Sequence, residues 1–263
     1  MKTVVAAAIF ALQVACAGQS NGPGAQDPVR QAENEYDIAR DLWLNRGQLR
    51  EALEHALKAV ELDEDNADAQ HLTALLYLDF CARRPGECRL EDAERHARKA
   101  VEIRPDFREA RNTLGVTLIH NRKPREAVAV LKPLSDDILY QTPEKAWGNL
   151  GWAYLEAGDL DRAVDALRRS IAAQPLFCVG SFRLGLALER KGELVPAQDA
   201  FTRALETEAP ECSRLQDAVA GRARIASRLG QTEQARADLA RCVELASTTT
   251  TGKNCRSMLE KLK

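Results

Sequence analysis

Four histidines and seven cysteines are the side chains of this protein best suited to bind a metal ion or to act in catalysis. The histidines fall in separate predicted helices: His55, His71, His96 and His120. Cys81 and Cys88 have no zinc spacing with His96, and no glycine-rich phosphate loop or Ser/His/Asp arrangement is visible. The sequence therefore favours a protein that is not an enzyme and binds no metal or cofactor, although an active site assembled from distant residues stays open.

The cysteine at position 16 ends a short apolar run near the N-terminus. Residues 4–12 follow Lys2 and are too short to span a bilayer, but they have the layout of a secretory signal peptide. Val14-Ala15-Cys16 resembles the bacterial lipobox, in which the cysteine takes a diacylglycerol thioether and becomes the acylated N-terminus. One departure is Gln13, where a lipobox usually has Leu. The alternative is an ordinary signal peptide with an incidental cysteine.

The lipobox resemblance implies an address as well as a modification. Residues 1–15 would be the cleaved signal peptide, and a lipid on Cys16 would be the only covalent group. Acyl chains at about 0.8 kcal/mol per buried methylene would hold the protein on a membrane. Because Ala17 rather than Asp follows the cysteine, the resemblance to sorted lipoproteins implies the outer membrane, with the body in the periplasm.

The composition of the chain is typical of a helical body. Charged residues make up 29% and aromatic residues 5%, and the formal net charge is −2. Nucleic-acid binding needs a basic face or a set of stacking aromatic residues, and neither is present, so DNA and RNA are excluded as partners. The many Ala, Leu, Glu and Arg residues predict an all-α protein.

Two stretches in the middle of the chain, 147–175 and 181–210, are copies of one unit. Their residues fall at the spacings of the 34-residue tetratricopeptide repeat (TPR), as Leu150 and Gly151 do in the first copy. A small residue beside bulky ones lets two antiparallel helices approach closely, and Gly158 supplies the turn between them. The repeat therefore predicts stacked helix pairs.

Extending this register divides the chain into parts. Residues 16–32, rich in Gly, Pro, Gln and Ser, are predicted to be the lipidated N-terminus and a flexible tether. Repeats are expected at 33–66, 67–107, 108–141, 144–177, 178–211 and 216–249, with a capping helix at about 252–263. The predicted fold is all-α, a right-handed superhelix of six TPRs over 33–263 with that C-terminal capping helix.

Six cysteines remain once Cys16 is lipidated, an even number in a chain addressed to an oxidising compartment. The sequence alone permits fifteen pairings. The repeat register favours three disulfides: Cys81 with Cys88 around an insertion in the second repeat, Cys178 with Cys212 at a repeat junction, and Cys242 with Cys255 beside the capping helix. Buried, unpaired cysteines are the alternative.

The first helix of each TPR lines the concave face of the superhelix, so the repeat positions that point inward predict a binding groove. These positions are His71, Leu75, Leu78, Asn112, Val116, Ile119, Trp152, Leu155, Phe182 and Leu186. The middle of this groove is apolar, while its ends carry opposite charges, with Asp37 and Asp41 at one end and Arg224 and Arg228 at the other. Such a surface is suited to an amphipathic helix or a hydrophobic strand of a partner. Some of these side chains could instead pack between neighbouring helices.

A lipidated cysteine, a short tether and six TPRs together resemble the type IV pilus biogenesis lipoproteins of the PilF/PilW kind, the pilotins. Within that family, length, repeat number and a cysteine-bearing body are most similar to the Tgl-type social-motility lipoproteins of myxobacteria. The resemblance implies a scaffold whose partner is the secretin subunit of the type IV pilus, which it helps to reach the outer membrane and to assemble into a ring. A membrane-tethered adaptor or regulator of envelope enzymes, such as cell-wall hydrolases or proteases, is the alternative.

Overall fold

A computed structural model of the protein describes residues 27–209 and 212–262. Within these ranges the chain forms thirteen α-helices and no strand. The helices are α1 (Pro28–Leu44), α2 (Leu49–Leu62), α3 (Ala67–Arg83), α4 (Leu90–Ile103), α5 (Arg108–His120), α6 (Pro124–Ser135), α7 (Pro143–Ala157), α8 (Leu160–Ala173), α9 (Cys178–Lys191), α10 (Leu194–Glu206), α11 (Gln216–Arg228), α12 (Thr232–Leu245) and α13 (Thr250–Lys261).

Neighbouring helices pack in pairs, from α1 with α2 to α11 with α12, and α13 packs on α12. Each pair falls within one of the predicted repeats, apart from the start of α1 and the first residue of α7, Pro143. The structure therefore confirms the all-α superhelix of TPRs. In the part of the chain that the structure describes, no helix has both the length and the apolar character of a membrane span.

The N-terminal boundary differs from the prediction, because α1 begins at Pro28, inside the stretch expected to be a flexible tether. The side chain of Asp27 caps the helix by accepting a hydrogen bond from the Val29 N–H at 3.2 Å, and proline suits the first position of a helix. The tether prediction is thus wrong for residues 28–32. The predictions for the signal peptide, for Cys16 and for residues 17–26 lie outside the described residues.

The capping helix also begins earlier than predicted, at Thr250. The Thr249 hydroxyl accepts a hydrogen bond from the Gly252 N–H at 2.9 Å, so the threonine run both ends α12 and starts α13. The helix lies over the open end of the last repeat, as a cap must.

Close contact between small and large residues holds the helix pairs together, as the repeat pattern predicts. A methyl group added at Gly151 would come within 2.5 Å of the Leu167 side chain. Phe201 of α10 is fully buried and fills two such positions, since groups added at Gly185 or at Gly221 would both come within 2.6 Å of its ring. Phe201 therefore joins α9, α10 and α11 into one packed unit.

Five of the six turns inside the pairs use the left-handed backbone region, the exception being the α3–α4 connection with its insertion. Gly158 and Gly192 both have φ of 82° and Gly230 has φ of 75°, directly after the first helix or one residue later. Arg122 takes the corresponding place between α5 and α6 with φ of 58°, and it is the only non-glycine residue with positive φ in the described ranges. A side chain at this place is strained, so the α5–α6 turn is less favourable than the others.

Three disulfides join the same pairs that the repeat register favours. Cys81–Cys88 closes the insertion between α3 and α4, Cys178–Cys212 ties the start of α9 to the junction before α11, and Cys242–Cys255 ties α12 to α13. Two of the three bonds therefore secure the C-terminal end of the superhelix.

Candidate partner-binding groove

The first helices of successive pairs form the inner side of the superhelix. They pack against one another along the whole stack, α1 with α3 and onward to α9 with α11. Successive second helices show no such close packing in the described residues. Because the closer spacing lies on the inner side of a curved stack, the first helices line the concave face, as predicted.

Most of the predicted groove residues keep part of their surface accessible. Eight of them are half-buried: His71, Leu75, Leu78, Asn112, Val116, Trp152, Phe182 and Leu186. Leu155 is fully buried and Ile119 is only 5% exposed. The groove prediction is wrong for Leu155, which packs between helices, and Ile119 contributes only to the lining of a second cavity beside His120 and Trp152.

A cavity of about 510 Å³ lies at the C-terminal end of the concave face, between α9, α11 and α13. Its apolar lining comes from all three helices: Phe182, Leu186, Ala220 and Met258. Phe182 rests on the core, with its ring centroid 6.2 Å from that of Phe201. The capping helix therefore forms one wall of the groove in addition to covering the last repeat.

Charged and polar groups surround this apolar lining. Arg224 donates two hydrogen bonds to Glu189, at 2.7 and 3.1 Å, and Asp217 accepts one from the Thr251 hydroxyl at 2.6 Å. These bonds link α11 to α9 and to α13. The cavity thus has a fixed shape and a polar rim, which suits an apolar segment that carries polar groups at its margins.

The middle of the concave face is more polar than the sequence predicts. The Asn149 amide donates to Asn112 Oδ1 at 2.9 Å and its oxygen accepts from Arg183 at 2.8 Å, joining α5, α7 and α9. The Arg183 guanidinium lies 4.4 Å from the Trp152 ring centroid, and the His120 ring meets Trp152 edge-on. Trp152 is therefore held between a cation and an imidazole instead of standing in an apolar stripe.

Burial lowers the pKa values of Arg183 and His120 in this part of the concave face. Desolvation lowers the pKa of Arg183 to about 10, so the guanidinium stays charged near neutral pH and keeps its hydrogen bonds to Asn149 and to the Gly148 carbonyl. Desolvation first, and the nearby Arg183 second, lower the pKa of His120. Near neutral pH, Arg183 thus supplies the positive charge of this part of the groove.

His71 serves the packing between repeats. Its Nε2 lies 2.9 Å from the Thr113 hydroxyl, and its ring packs edge-on against Phe107 at 4.8 Å. Thr113 already donates to the Glu109 carbonyl, so its hydroxyl accepts a hydrogen bond from a neutral His71. Burial lowers the pKa of His71 to about 4, which keeps the ring neutral.

The charged ends of the groove are partly neutralised. Asp41 accepts hydrogen bonds from Asn45 and Arg46, and the Asn45 bond contributes most to lowering its pKa. Arg224 is paired with Glu189 at the other end. The predicted opposite charges are therefore present but weaker than the sequence suggests.

In the described ranges, no group of three His, Cys, Asp or Glu side chains could hold a metal ion.

Comparison with protein families identifies the repeat. The tetratricopeptide repeat family matches residues 144–177 and 217–249. The first match has the bounds of the predicted fourth repeat, and the second begins one residue after the predicted start of the last repeat.

Among characterised proteins, the type IV pilus assembly protein PilF of Pseudomonas aeruginosa is 28% identical over 208 residues. This similarity covers 76% of the chain and 78% of PilF. The human protein O-mannosyl-transferase TMTC3 is 29% identical over 124 residues, which cover 46% of the chain but only 13% of TMTC3. The chain therefore spans a small part of that transferase and most of the length of PilF.

Solved structures share the fold. PilW, a widely conserved type IV pilus biogenesis factor, superposes with a TM-score of 0.70 at 22% identity, over 85% of the chain and 97% of PilW. PilF of Pseudomonas aeruginosa superposes with a TM-score of 0.65 at 18% identity, over 89% of the chain and all of that structure. At these identities the superpositions establish the fold, a TPR superhelix.

Proposed function

We propose that this TPR protein, a relative of the pilus biogenesis factor PilF, is a lipid-anchored pilotin. It promotes the outer-membrane localisation and the multimer assembly of the type IV pilus secretin, and hence pilus formation and motility. The observation that carries the proposal is the sequence similarity to PilF, because it extends over 76% of this chain and 78% of PilF instead of a single repeat.

The anchor in this proposal is a lipid on Cys16, which places the body in the periplasm at the inner surface of the outer membrane. A protein held at the bilayer raises the local concentration of any subunit that it binds, and so promotes assembly without bond chemistry. The Val14-Ala15-Cys16 motif supports the anchor. Changing Cys16 to Ser should remove the protein from the outer-membrane fraction, and retention in that fraction would contradict the anchor.

The concave face is the surface that would hold the secretin segment. The cavity lined by Phe182, Leu186 and Met258 offers an apolar recess, and Arg183 and Arg224 supply positive charge beside it. An amphipathic segment with two or three apolar side chains and neighbouring carboxylates fits these features. No reacting group is needed for such binding.

The experiment that tests the proposal uses cells from which the gene has been deleted. Membranes are solubilised without heating, and the secretin is followed as a heat-resistant multimer and as a monomer. The proposal predicts that the multimer is lost while monomer remains, and that the wild-type gene restores it. An unchanged secretin ring would contradict the proposal and would favour the adaptor of envelope enzymes.

A further inference from the structure

The two edges of the superhelix differ in their apolar surface. Because the helices alternate in direction, every first helix begins at the same edge, the one that carries the connections between repeats. Residue 27 enters α1 at this edge, and the connections 136–142 and 174–177 enter α7 and α9 there. We call this the anchor edge, defined by Val29 and by residues 136–142 and 174–177.

Exposed large apolar side chains gather on two neighbouring connections of the anchor edge. Ile138 is 96% exposed, Leu139 is 62% exposed and Leu176 is 57% exposed. The connections that carry them lead into α7 and α9, which pack against each other. Val29, 49% exposed, lies on the same edge where the chain enters α1. Exposed apolar side chains grouped on neighbouring connections are the kind of surface that contacts a partner or a membrane.

The first connection is fixed in shape, so its apolar side chains are held outward. Asp137 accepts hydrogen bonds from Arg108 at 2.7 Å and from the Leu139 N–H at 2.9 Å. The Tyr140 side chain is buried in the core directly after them. Ile138 and Leu139 therefore project from a braced loop and do not sample the core.

The second connection has the same design. The Leu176 N–H donates to the Gln174 side chain at 3.3 Å, and the Leu176 carbonyl accepts from the Cys178 N–H at 3.0 Å. The next residue, Phe177, is half-buried where α7 and α9 meet, close to Gly148 and Gly180. One aromatic side chain anchors the loop while Leu176 points away.

The opposite edge lacks such a grouping in the described residues. Its large exposed apolar residues are Leu44 at the end of α1 and Val195 at the start of α10, on distant repeats. Single exposed apolar residues are normal on protein surfaces. In the described part of the chain, only the anchor edge therefore carries a group of exposed apolar residues that needs an explanation.

We propose that the anchor edge rests on a phospholipid surface, with Ile138, Leu139 and Leu176 inserted among the headgroups. This inference rests on the lipid anchor of the proposed function. The chain from Cys16 enters α1 at this edge and, fully extended, spans about 40 Å, so the anchor edge lies within reach of the bilayer. Apolar side chains at an interface add to the hold of the anchor. With the edge on the membrane, the helices stand upright and the groove opens sideways, toward proteins in the same bilayer.

The test labels the full chain with an environment-sensitive fluorophore at Ile138→Cys, with Val195→Cys as the matched control. Val195 is also exposed, at 58% against 96% for Ile138, but it lies on the opposite edge. The labelled protein is reconstituted in phosphatidylethanolamine–phosphatidylglycerol vesicles. The proposal predicts a blue-shifted emission and several-fold protection from aqueous iodide at position 138, and neither change at position 195. Equal iodide access at both positions would overturn it, as would protection that appears without vesicles and rises with protein concentration, which indicates a second copy of the chain.

A second attachment separates this inference from the proposed function. In a variant, a hexahistidine tag replaces residues 1–16 and binds nickel-chelating lipid in the same vesicles. The tag holds the body at the same point of the chain without a lipid on Cys16. Protection at position 138 on these vesicles supports the anchor edge even if mass spectrometry finds no lipid on Cys16. Ile138→Ser with Leu139→Ser should remove the protection from a label at Leu176→Cys and leave the melting temperature unchanged. Protection that persists would overturn the role of these two residues.

Discussion

The two ends of the superhelix are packed on different principles. One large core of aliphatic and aromatic residues starts at Ala74 of α3 and Ala97 of α4 and runs through the stack to α13, with Phe201 and Leu167 against glycines. Around α1, α2 and α3 a separate, smaller core is formed, mostly of alanine and leucine with Phe80. The candidate groove cavity lies on the first of these regions, and α1, where the described chain begins, belongs to the second.

Buried polar residues of α3 and α4 lie where the two cores meet. His96 of α4 lies 2.7 Å from Gln70 of α3, and Glu94 accepts hydrogen bonds from Lys123 and Asn121 across the next junction. Hydrogen bonds of this kind specify how repeats join but add less stability than apolar packing does. The C-terminal repeats, which carry the groove cavity, are thus held by one continuous apolar core, whereas the N-terminal repeats join them through a polar junction that contains a histidine.

The largest expected effect is in the apolar core. Phe201→Ala leaves a cavity between α9, α10 and α11, and we expect the free energy of unfolding to fall by about 4 kcal/mol. Leu42→Ala in the small N-terminal core should cost about 2 kcal/mol, because it removes fewer contacts. Urea titration followed by circular dichroism measures both values. A larger cost at Leu42 than at Phe201 would reverse the comparison.

Disulfide removal should give the next effect. Replacing Cys178 and Cys212 with Ala opens a loop with a sequence separation of 34. The chain-entropy argument gives a loss of about 3 to 4 kcal/mol. Replacing Cys81 and Cys88, separated by 7, should cost about 2 kcal/mol. Equal melting temperatures for the two double variants would show that the Cys178–Cys212 disulfide stabilises the protein no more than the Cys81–Cys88 disulfide does.

Acid should weaken the polar junction. His96 Nδ1 donates to Gln70, while Arg95 donates to His96 Nε2 at 3.3 Å, so protonation would set two cations against each other. Burial first, and Arg95 second, lower the pKa of His96 to about 4, against the opposing effect of Asp92.

The sign of the pH effect follows from that pKa. The unfolded chain, with an imidazole pKa of about 6.5, binds more protons between pH 6.5 and 4. Stability should therefore fall as pH drops through this window, by about 3 kcal/mol for His96. His96→Gln can keep both hydrogen bonds without titrating, and thermal melts of the two proteins should converge at low pH. If the stability of the variant depended on pH as steeply as that of the wild type, a group other than His96 would cause the effect.

The smallest effect is expected at the α5–α6 turn. Arg122→Gly relieves the left-handed backbone strain that the other turns avoid with glycine, and should stabilise the protein by about 0.5 to 1 kcal/mol. Differential scanning calorimetry would detect a rise of a few degrees. Gly158→Arg is the reciprocal control and should destabilise, because it creates the same strain in α7–α8. Destabilisation by Arg122→Gly would show that the arginine side chain outweighs the strain.

Periodic features of the sequence predict the fold well, because repeat register controls them. The pairing of Cys178 with Cys212 and the contact between Gly151 and Leu167 both follow from that register. The repeat register does not predict features that depend on one local hydrogen bond, such as the start of α1, which depends on Asp27.

The candidate site was predicted only in part. Asn149 and Arg183 lie one repeat apart, at equivalent positions, so the register could have placed them on adjacent helices. Their hydrogen bond, however, depends on side-chain conformations that the pattern does not contain. Leu155 has the period of a groove residue, but the packing of its neighbours buries it. The contribution of Met258 depends on how α13 folds back, which no repeat specifies.

The central claim is that the concave face binds the secretin, and two residues of α9 test it directly. Leu186 and Leu184 are both half-buried, but Leu186 lines the concave cavity and Leu184 lines an outer cleft with Leu188 and Arg203. Deletion cells are complemented with Leu186→Glu or with Leu184→Glu at matched protein levels, and the heat-resistant secretin multimer is measured. The account predicts that the multimer is lost with Leu186→Glu and retained with Leu184→Glu. A full multimer with Leu186→Glu would contradict binding at the concave face.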